Sequence, residues 1–173
     1  MIFEKILLPD DIQDNFECVT PEYLKQLGKK FIFCDIDNTL ATYDDPTPPT
    51  NVVCWCREMN ENGISISFVS NNDHARVELF NRELGYVWRA KAGKPFTNKL
   101  KEAMAELGAS AENSAFLGDQ LLTDAACANL AGLYSIIVPP IKDKTSVFFR
   151  FKRWLEKPYM RRYRLLKGGE KIG

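Results

Sequence analysis

Asp35 and Asp37 are separated by one residue and follow directly on Phe31-Ile32-Phe33-Cys34. On an extended chain, side chains two apart share a face, so the two carboxylates converge on one point. Paired acids at one point suit a hard cation such as Mg²⁺ and an oxyanion substrate. Asp and Asn after an apolar run are also ordinary turn formers, so D-x-D alone does not separate chemistry from a turn. The full run F-I-F-C-D-I-D-N-T-L is more specific, because four apolar residues deliver two acids and then the Thr39 hydroxyl.

The elements that must position these acids follow from the rest of the pattern. A short continuous apolar run bounded by turn residues suits a strand buried on both faces, the centre of a parallel sheet. Similar runs recur. Ile64 to Val69 ends at Ser70-Asn71-Asn72, Tyr86 to Ala90 leads to Gly93-Lys94-Pro95, Ser114 to Leu117 meets Gly118-Asp119, and Leu133 to Val138 closes the series. Helices are expected between them, from about Asn51 to Asn62, Asp73 to Leu84 and Thr97 to Leu107, with another ending at Ala131; a glycine follows each. Upstream, an irregular start precedes a short helix over Thr20 to Gly28, with Thr20 as its cap and Pro21 in its first turn. Pro46, Pro48 and Pro49 make 41–50 a loop beside the acids. This alternation predicts an α/β fold, a doubly wound, Rossmann-like, mostly parallel sheet of about five strands with helices on both faces. Every polar candidate then falls just past a strand, at the sheet edge where open α/β folds bind ligands.

With D-I-D-N-T, Ser70, Lys94-Pro95 and G-D-Q-L-L-T-D in this order, the chain resembles the haloacid dehalogenase-type (HAD) phosphohydrolases over roughly residues 30 to 138. The resemblance implies the roles. Asp35 is the nucleophile, forming an aspartyl-phosphate that splits one hard displacement into two. Asp37 is the general acid and base. Asp35, the Asp37 backbone carbonyl and Asp119 hold Mg²⁺, with Asp124 outside them as an orienting acid. Lys94 and the Ser70 hydroxyl stabilise the transferring phosphoryl. Beside these roles, the residues themselves offer Thr39 and the backbone amides near Ile36 and Asn71 as further donors. HAD enzymes usually carry an inserted cap, yet one Pro-rich loop follows Leu40, and one helix and one strand separate Ser70 from Lys94. No cap fits. Among capless members of subfamily IIIA, F-C-D-I-D-N-T-L, V-S-N-N, K-P and G-D-Q-L-L-T-D resemble the YqeG family and the related phosphatidylglycerophosphate phosphatases. That resemblance implies dephosphorylation of phosphatidylglycerophosphate to phosphatidylglycerol.

A chain of 173 residues, 45% of them hydrophobic, supports one well-buried domain. No apolar run approaches the roughly 18 residues that span a bilayer, and Met1 to Asp11 is unlike a signal peptide, so a cytoplasmic protein is expected. Cys18, Cys34, Cys54, Cys56 and Cys127 lack C-x-x-C spacing and are expected to be reduced thiols. His74, the only histidine, reads as a surface or capping residue, Gly118 as a site of close backbone approach, and Trp55, Trp88 and the Phe residues as core. Net charge is zero, but from Lys142 onward eleven Lys or Arg face three acids. The chain therefore divides into an acidic phosphatase core, 1–141, and a basic, aromatic tail, 142–173. In that tail Val147, Phe148, Phe149, Phe151, Trp154 and Leu155 alternate with Arg150, Lys152 and Arg153, and Tyr159 to Leu166 repeats the composition. Such a segment suits an interfacial helix on the inner face of the cytoplasmic membrane. The expected partners are a phosphorylated lipid and an anionic membrane surface, with no specific nucleic acid. Two other readings stay open: a soluble phosphatase of a phosphoprotein, nucleic-acid end or small phosphoester, and a non-catalytic module whose tail binds RNA.

Overall fold

The computed structural model describes residues 2–142, 158–163 and 165, and the aromatic, basic stretch from Val147 to Leu155 lies outside them. In chain order the elements are α1 (Ile2–Leu7), β1 (Asp11–Ile12), a 3₁₀ turn (Phe16–Cys18), α2 (Pro21–Gln26), β2 (Phe31–Cys34) and α3 (Thr50–Glu61). There follow β3 (Ser65–Val69), α4 (His74–Asn81), β4 (Val87–Arg89), α5 (Asn98–Leu107), β5 (Ser114–Gly118), a π-helical turn (Leu121–Ala125), α6 (Ala126–Ala131) and β6 (Tyr134–Ile137). All strands are parallel, in the order β1-β6-β5-β2-β3-β4.

The continuous apolar run of β2 is explained by burial on two sides. Ile32 and Cys34 point into one core with Ile66, Phe68 and Leu117, while Phe33 points into the other with Val69 and Phe116. Each core is closed by a helical stripe. Val52, Trp55, Cys56 and Met59 of α3, spaced i, i+3, i+4 and i+7, cover the first, and Leu100, Ala103 and Met104 of α5 with Cys127 and Ala128 of α6 cover the second. Capping sets the helix starts: the Thr20 hydroxyl accepts from the Tyr23 amide at 3.2 Å and the Asp73 carboxylate from the Arg76 amide at 2.9 Å.

Four expectations are corrected. The sheet has six strands rather than about five, because the two-residue β1 pairs with β6, Asp11 opposite Ile136, and is too short to leave a periodic signal. The start is not irregular, since α1 precedes that strand. The helix expected to reach Leu84 ends at Asn81, whose side chain accepts from the Tyr86 amide and donates to the Tyr86 carbonyl, turning the chain into β4. Not every aromatic is core, for Trp88 is only half-buried and Phe96 is 74% exposed.

His74 opens α4 with its ring against Trp88, and all five cysteines are free thiols. Between β2 and α3 runs only the Pro-rich loop, and between β3 and β4 only α4, so no cap domain stands over the sheet edge among the described residues. Residues 158–163 are helical, with Tyr159 and Met160 packed on Leu121, Ala125 and Ile137, and the Tyr163 hydroxyl donates to Asp11 at 3.2 Å. No helix among the described residues is long and apolar enough to cross a membrane.

Phe68 is fully buried at the middle of the first core, edge-on to Phe80 and Tyr86 at 5.6 and 5.9 Å between ring centres. Phe68→Ala is expected to destabilise the fold by about 3–5 kcal/mol, read as a lower denaturant midpoint at unchanged m-value.

Candidate active site

The strand ladders run on into the loops, which is what gathers the polar residues. The Asp35 amide donates to the Leu117 carbonyl, the Ser70 amide to the Arg89 carbonyl and the Val138 amide to the Gly118 carbonyl, each at 2.9 Å. The loops after β2, β3 and β5 therefore leave the sheet side by side. Asn71 then clasps the next loop. Its side chain accepts from the Lys94 amide at 2.7 Å and donates to the Lys94 carbonyl at 3.2 Å. Beyond Asp37 the chain turns back through Asn38 at φ 68°, a left-handed conformation that Asn tolerates, and the Asn38 amide donates to the Ala41 carbonyl at 2.7 Å. That turn brings the Thr39 hydroxyl to 3.5 Å from Asp35 Oδ2.

At the centre, Lys94 Nζ lies 2.7 Å from both Asp35 Oδ1 and Asp124 Oδ1, and all three groups are buried. Asp124 Oδ2 accepts from the amides of Asp119 and Gln120, each at 3.1 Å. Gly118 permits this, as a Cβ there would fall inside the Asp124 side chain. Burial works against the Lys94 ammonium, but Asp124 and Asp35 more than offset it and raise its pKa above the usual lysine range. Burial also raises the carboxyls. Asp35 is pushed up to about 7 by desolvation with the charges of Asp124 and Asp37, against the pull of Lys94. Asp119 is pushed well up by desolvation and then by Asp124 and Asp35.

Carboxylate oxygens of Asp35, Asp119 and Asp124 lie within 4.8 Å of one another. Lys94 supplies one positive charge among them, and buried Asp119 Oδ2 has no hydrogen-bond partner. Three hard oxygen donors with one oxygen unsatisfied fit a divalent cation. Asp119 Oδ2 is the best-placed donor, because Lys94 holds one oxygen of both Asp35 and Asp124 and other donors meet the second oxygen of each.

A cavity of about 290 Å³ opens over this cluster, lined by Asp35, Asp37, Ser70, Asn71, Lys94 and Asp124 of the expected residues. Tyr43, Asn72, Gln120 and Thr123 also line it and were not anticipated. The largest omission is Arg76. Its Nε and Nη2 reach Asp37 Oδ1 at 3.2 and 3.1 Å, while Nη1 donates to the Pro46 carbonyl and Nη2 to the Thr42 carbonyl. Asn72 donates to the other Asp37 oxygen at 3.0 Å. The Asp37 carboxylate is thus turned to Arg76 and Asn72. A signal existed in the sequence: the Asp73 cap fixes the first turn of α4 and aims the residue three positions on.

The raised carboxyls make a linkage prediction. An acid whose folded pKa exceeds its unfolded value destabilises the fold increasingly as pH rises from the unfolded value, near 4, to the folded one. The metal-free protein is therefore expected to melt at lower temperature at pH 8 than at pH 5.5. Asp119→Asn, which removes one repelling charge, is expected to raise the pH 8 melting temperature of the metal-free protein, checked by calorimetry.

The arrangement has known counterparts. A HAD-hydrolase-like family model matches residues 91–142. A Bacillus subtilis (strain 168) protein described as a probable phosphatase, YqeG, is 36% identical over 156 residues, covering 90% of this chain and 91% of that one. Among solved structures, Rhodobacter sphaeroides CbbY in complex with xylulose 1,5-bisphosphate superposes with a TM-score of 0.55 at 14% identity, covering 69% of this chain and 90% of its own. The cobalt-bound deoxy-D-mannose-octulosonate 8-phosphate phosphatase of Haemophilus influenzae gives 0.52 at 17% identity, covering 77% and 90%. At such identities the two structures speak to the fold alone. The similarity to YqeG spans nearly the whole of both chains and carries the relationship: this chain belongs to the YqeG family of capless HAD-type phosphatases.

Proposed function

We infer that this HAD-type phosphatase acts with Mg²⁺ through an aspartyl-phosphate on Asp35 and dephosphorylates phosphatidylglycerophosphate to phosphatidylglycerol at a membrane surface. The observation that carries this reading is a buried Asp35 clamped to Lys94 inside a carboxylate cluster, under a mouth that no cap covers among the described residues. In the first step an Asp35 oxygen attacks phosphorus as the bond to the leaving alcohol breaks, and Asp37, which lines the same cavity and must first turn from Arg76 and Asn72 and take up a proton, gives that alcohol its proton. In the second step water attacks phosphorus, Asp37 takes the water's proton, and inorganic phosphate leaves with Asp35 restored. Lys94, the Ser70 hydroxyl and the Asn71 backbone amide hold the phosphoryl oxygens, with the Thr39 hydroxyl beside the nucleophile. Asp124 acts through Lys94 and the Asp119 loop, positioning both. Mg²⁺ held by Asp35, the Asp37 carbonyl and Asp119 would supply the positive charge that lets a dianionic phosphate meet an anionic nucleophile.

The lipid assignment draws support from the family resemblance, the uncapped edge and the basic tail. A cavity of about 290 Å³ accepts a phosphate and its first atoms but does not enclose a larger molecule, so the remainder of the substrate lies outside it. The basic tail suits reversible attachment to anionic lipid, at about 1 kcal/mol per Lys or Arg near the surface.

Phosphate release is expected to be greatest for phosphatidylglycerophosphate among a panel that includes glycerol phosphates, nucleotides and a phosphopeptide. Similar turnover of every compound would remove the lipid assignment and leave the phosphatase. Asp35→Asn is expected to bring turnover to background in a protein that still folds, and EDTA is expected to do the same to the wild type, with recovery on adding Mg²⁺.

A further inference from the structure

We propose that Tyr43, Phe96 and Ile141 form an apolar rim that seats the mouth of the site on a lipid bilayer, presenting the nucleophile to headgroup phosphates. The proposal rests on the lipid reading above and adds the surface that performs it.

Among the described residues five large apolar side chains are exposed, namely Tyr43 (43%), Phe96 (74%), Leu130 (51%), Ile141 (50%) and Leu165 (78%). Single exposed apolar residues need no explanation, but a concentration around one polar mouth does. Three of these five stand on the loops at the catalytic edge. Tyr43 lines the cavity itself, Phe96 lies two residues past Lys94, and Ile141 follows β6. In the sheet order, β6 and β4 lie on opposite sides of β2, so Ile141 and Phe96 straddle the nucleophile loop. Four strand spacings of about 4.8 Å separate those two strands, roughly 19 Å in all, enough to bracket a phosphate-sized opening.

The rim is held in place by its main chain. The Ile141 amide donates to the Asn38 carbonyl at 3.1 Å, and the Phe96 carbonyl accepts from Cys127 Sγ at 3.6 Å. The backbone is anchored while the side chains point into solvent. Between them, Lys142 Nζ pairs with Asp44 at 2.7 Å, while the Asp45 carboxylate keeps its charge and accepts from the Thr42 amide and hydroxyl at 2.9 and 2.7 Å. The apolar side chains, not the charges, therefore carry the contact, which persists where salt screens the remaining repulsion. A ring of apolar groups around a polar centre also matches a surface that displays phosphates in a plane above hydrocarbon.

The test uses the full chain and the double variant Phe96→Ser with Ile141→Ser, whose altered side chains are exposed and outside the catalytic set. Co-sedimentation with vesicles of phosphatidylcholine and phosphatidylglycerol is measured at high salt, where contacts of the basic tail are screened. The wild type is expected to sediment, and the double variant to bind at least about tenfold more weakly, with an unchanged melting temperature and unchanged turnover of p-nitrophenyl phosphate. Equal vesicle binding by the two proteins would overturn the proposal, as would a loss of phosphopeptide turnover in the double variant with vesicle binding intact. Turnover of phosphatidylglycerophosphate in the same vesicles reads the lipid-substrate assignment separately. Vesicle binding that depends on Phe96 and Ile141 without such turnover would retain the rim and reject that substrate.

Discussion

A single buried ammonium makes the site possible. Asp35, Asp119 and Asp124 crowd their oxygens within 4.8 Å in a desolvated place, an arrangement that like charges oppose. Lys94 sits between two of them at 2.7 Å and, among the described residues, is the cation paired with them. A hydrophobic filling of the same volume would serve stability as well or better, because taking charges out of water is unfavourable even when they are paired. What the buried pair supplies instead is placement. The lysine cannot leave without stranding two carboxylates, so Asp35 and Lys94 keep a fixed separation.

That placement is inherited from the sheet. Parallel strands end along one edge, and here the loops extend the ladder by one more rung, so residues far apart in sequence leave in adjacent registers. The loops are then tied to each other by side chains. Asn71 clasps the Lys94 backbone, Asp124 gathers the amides of its own loop, and Arg76 joins α4 to Asp37 and to the Pro-rich segment through the carbonyls of Thr42 and Pro46. With no cap among the described residues, these ties are what shape the cavity.

The parts legible in the sequence are those with a local signature. Buried parallel strands read as short apolar runs, and the residue after each run stands at the functional edge, which is why Asp35, Ser70, Lys94, Asp119 and Asp124 were all found on one side of the fold. Gly118 was read as a point of close approach, and the Asp124 side chain fills the place its Cβ would take. The parts that were not legible depend on three-dimensional closure. β1 is two residues long and exists only because β6 offers it a partner. Arg76 lies on a helix whose Asp73 cap is legible, but its reach to Asp37 exists only once the loop after β2 and the start of α4 come together. Phe96 has the composition of a core residue, yet the loop that delivers Lys94 leaves the ring in water.

The contact of Tyr159 and Met160 with Leu121, Ala125 and Ile137 ties a segment remote in sequence to the back of the site. Those two side chains help wall off the π-helical turn that carries Asp124. Order in that segment and order in the carboxylate cluster are therefore linked, although neither Tyr159 nor Met160 belongs to the cluster.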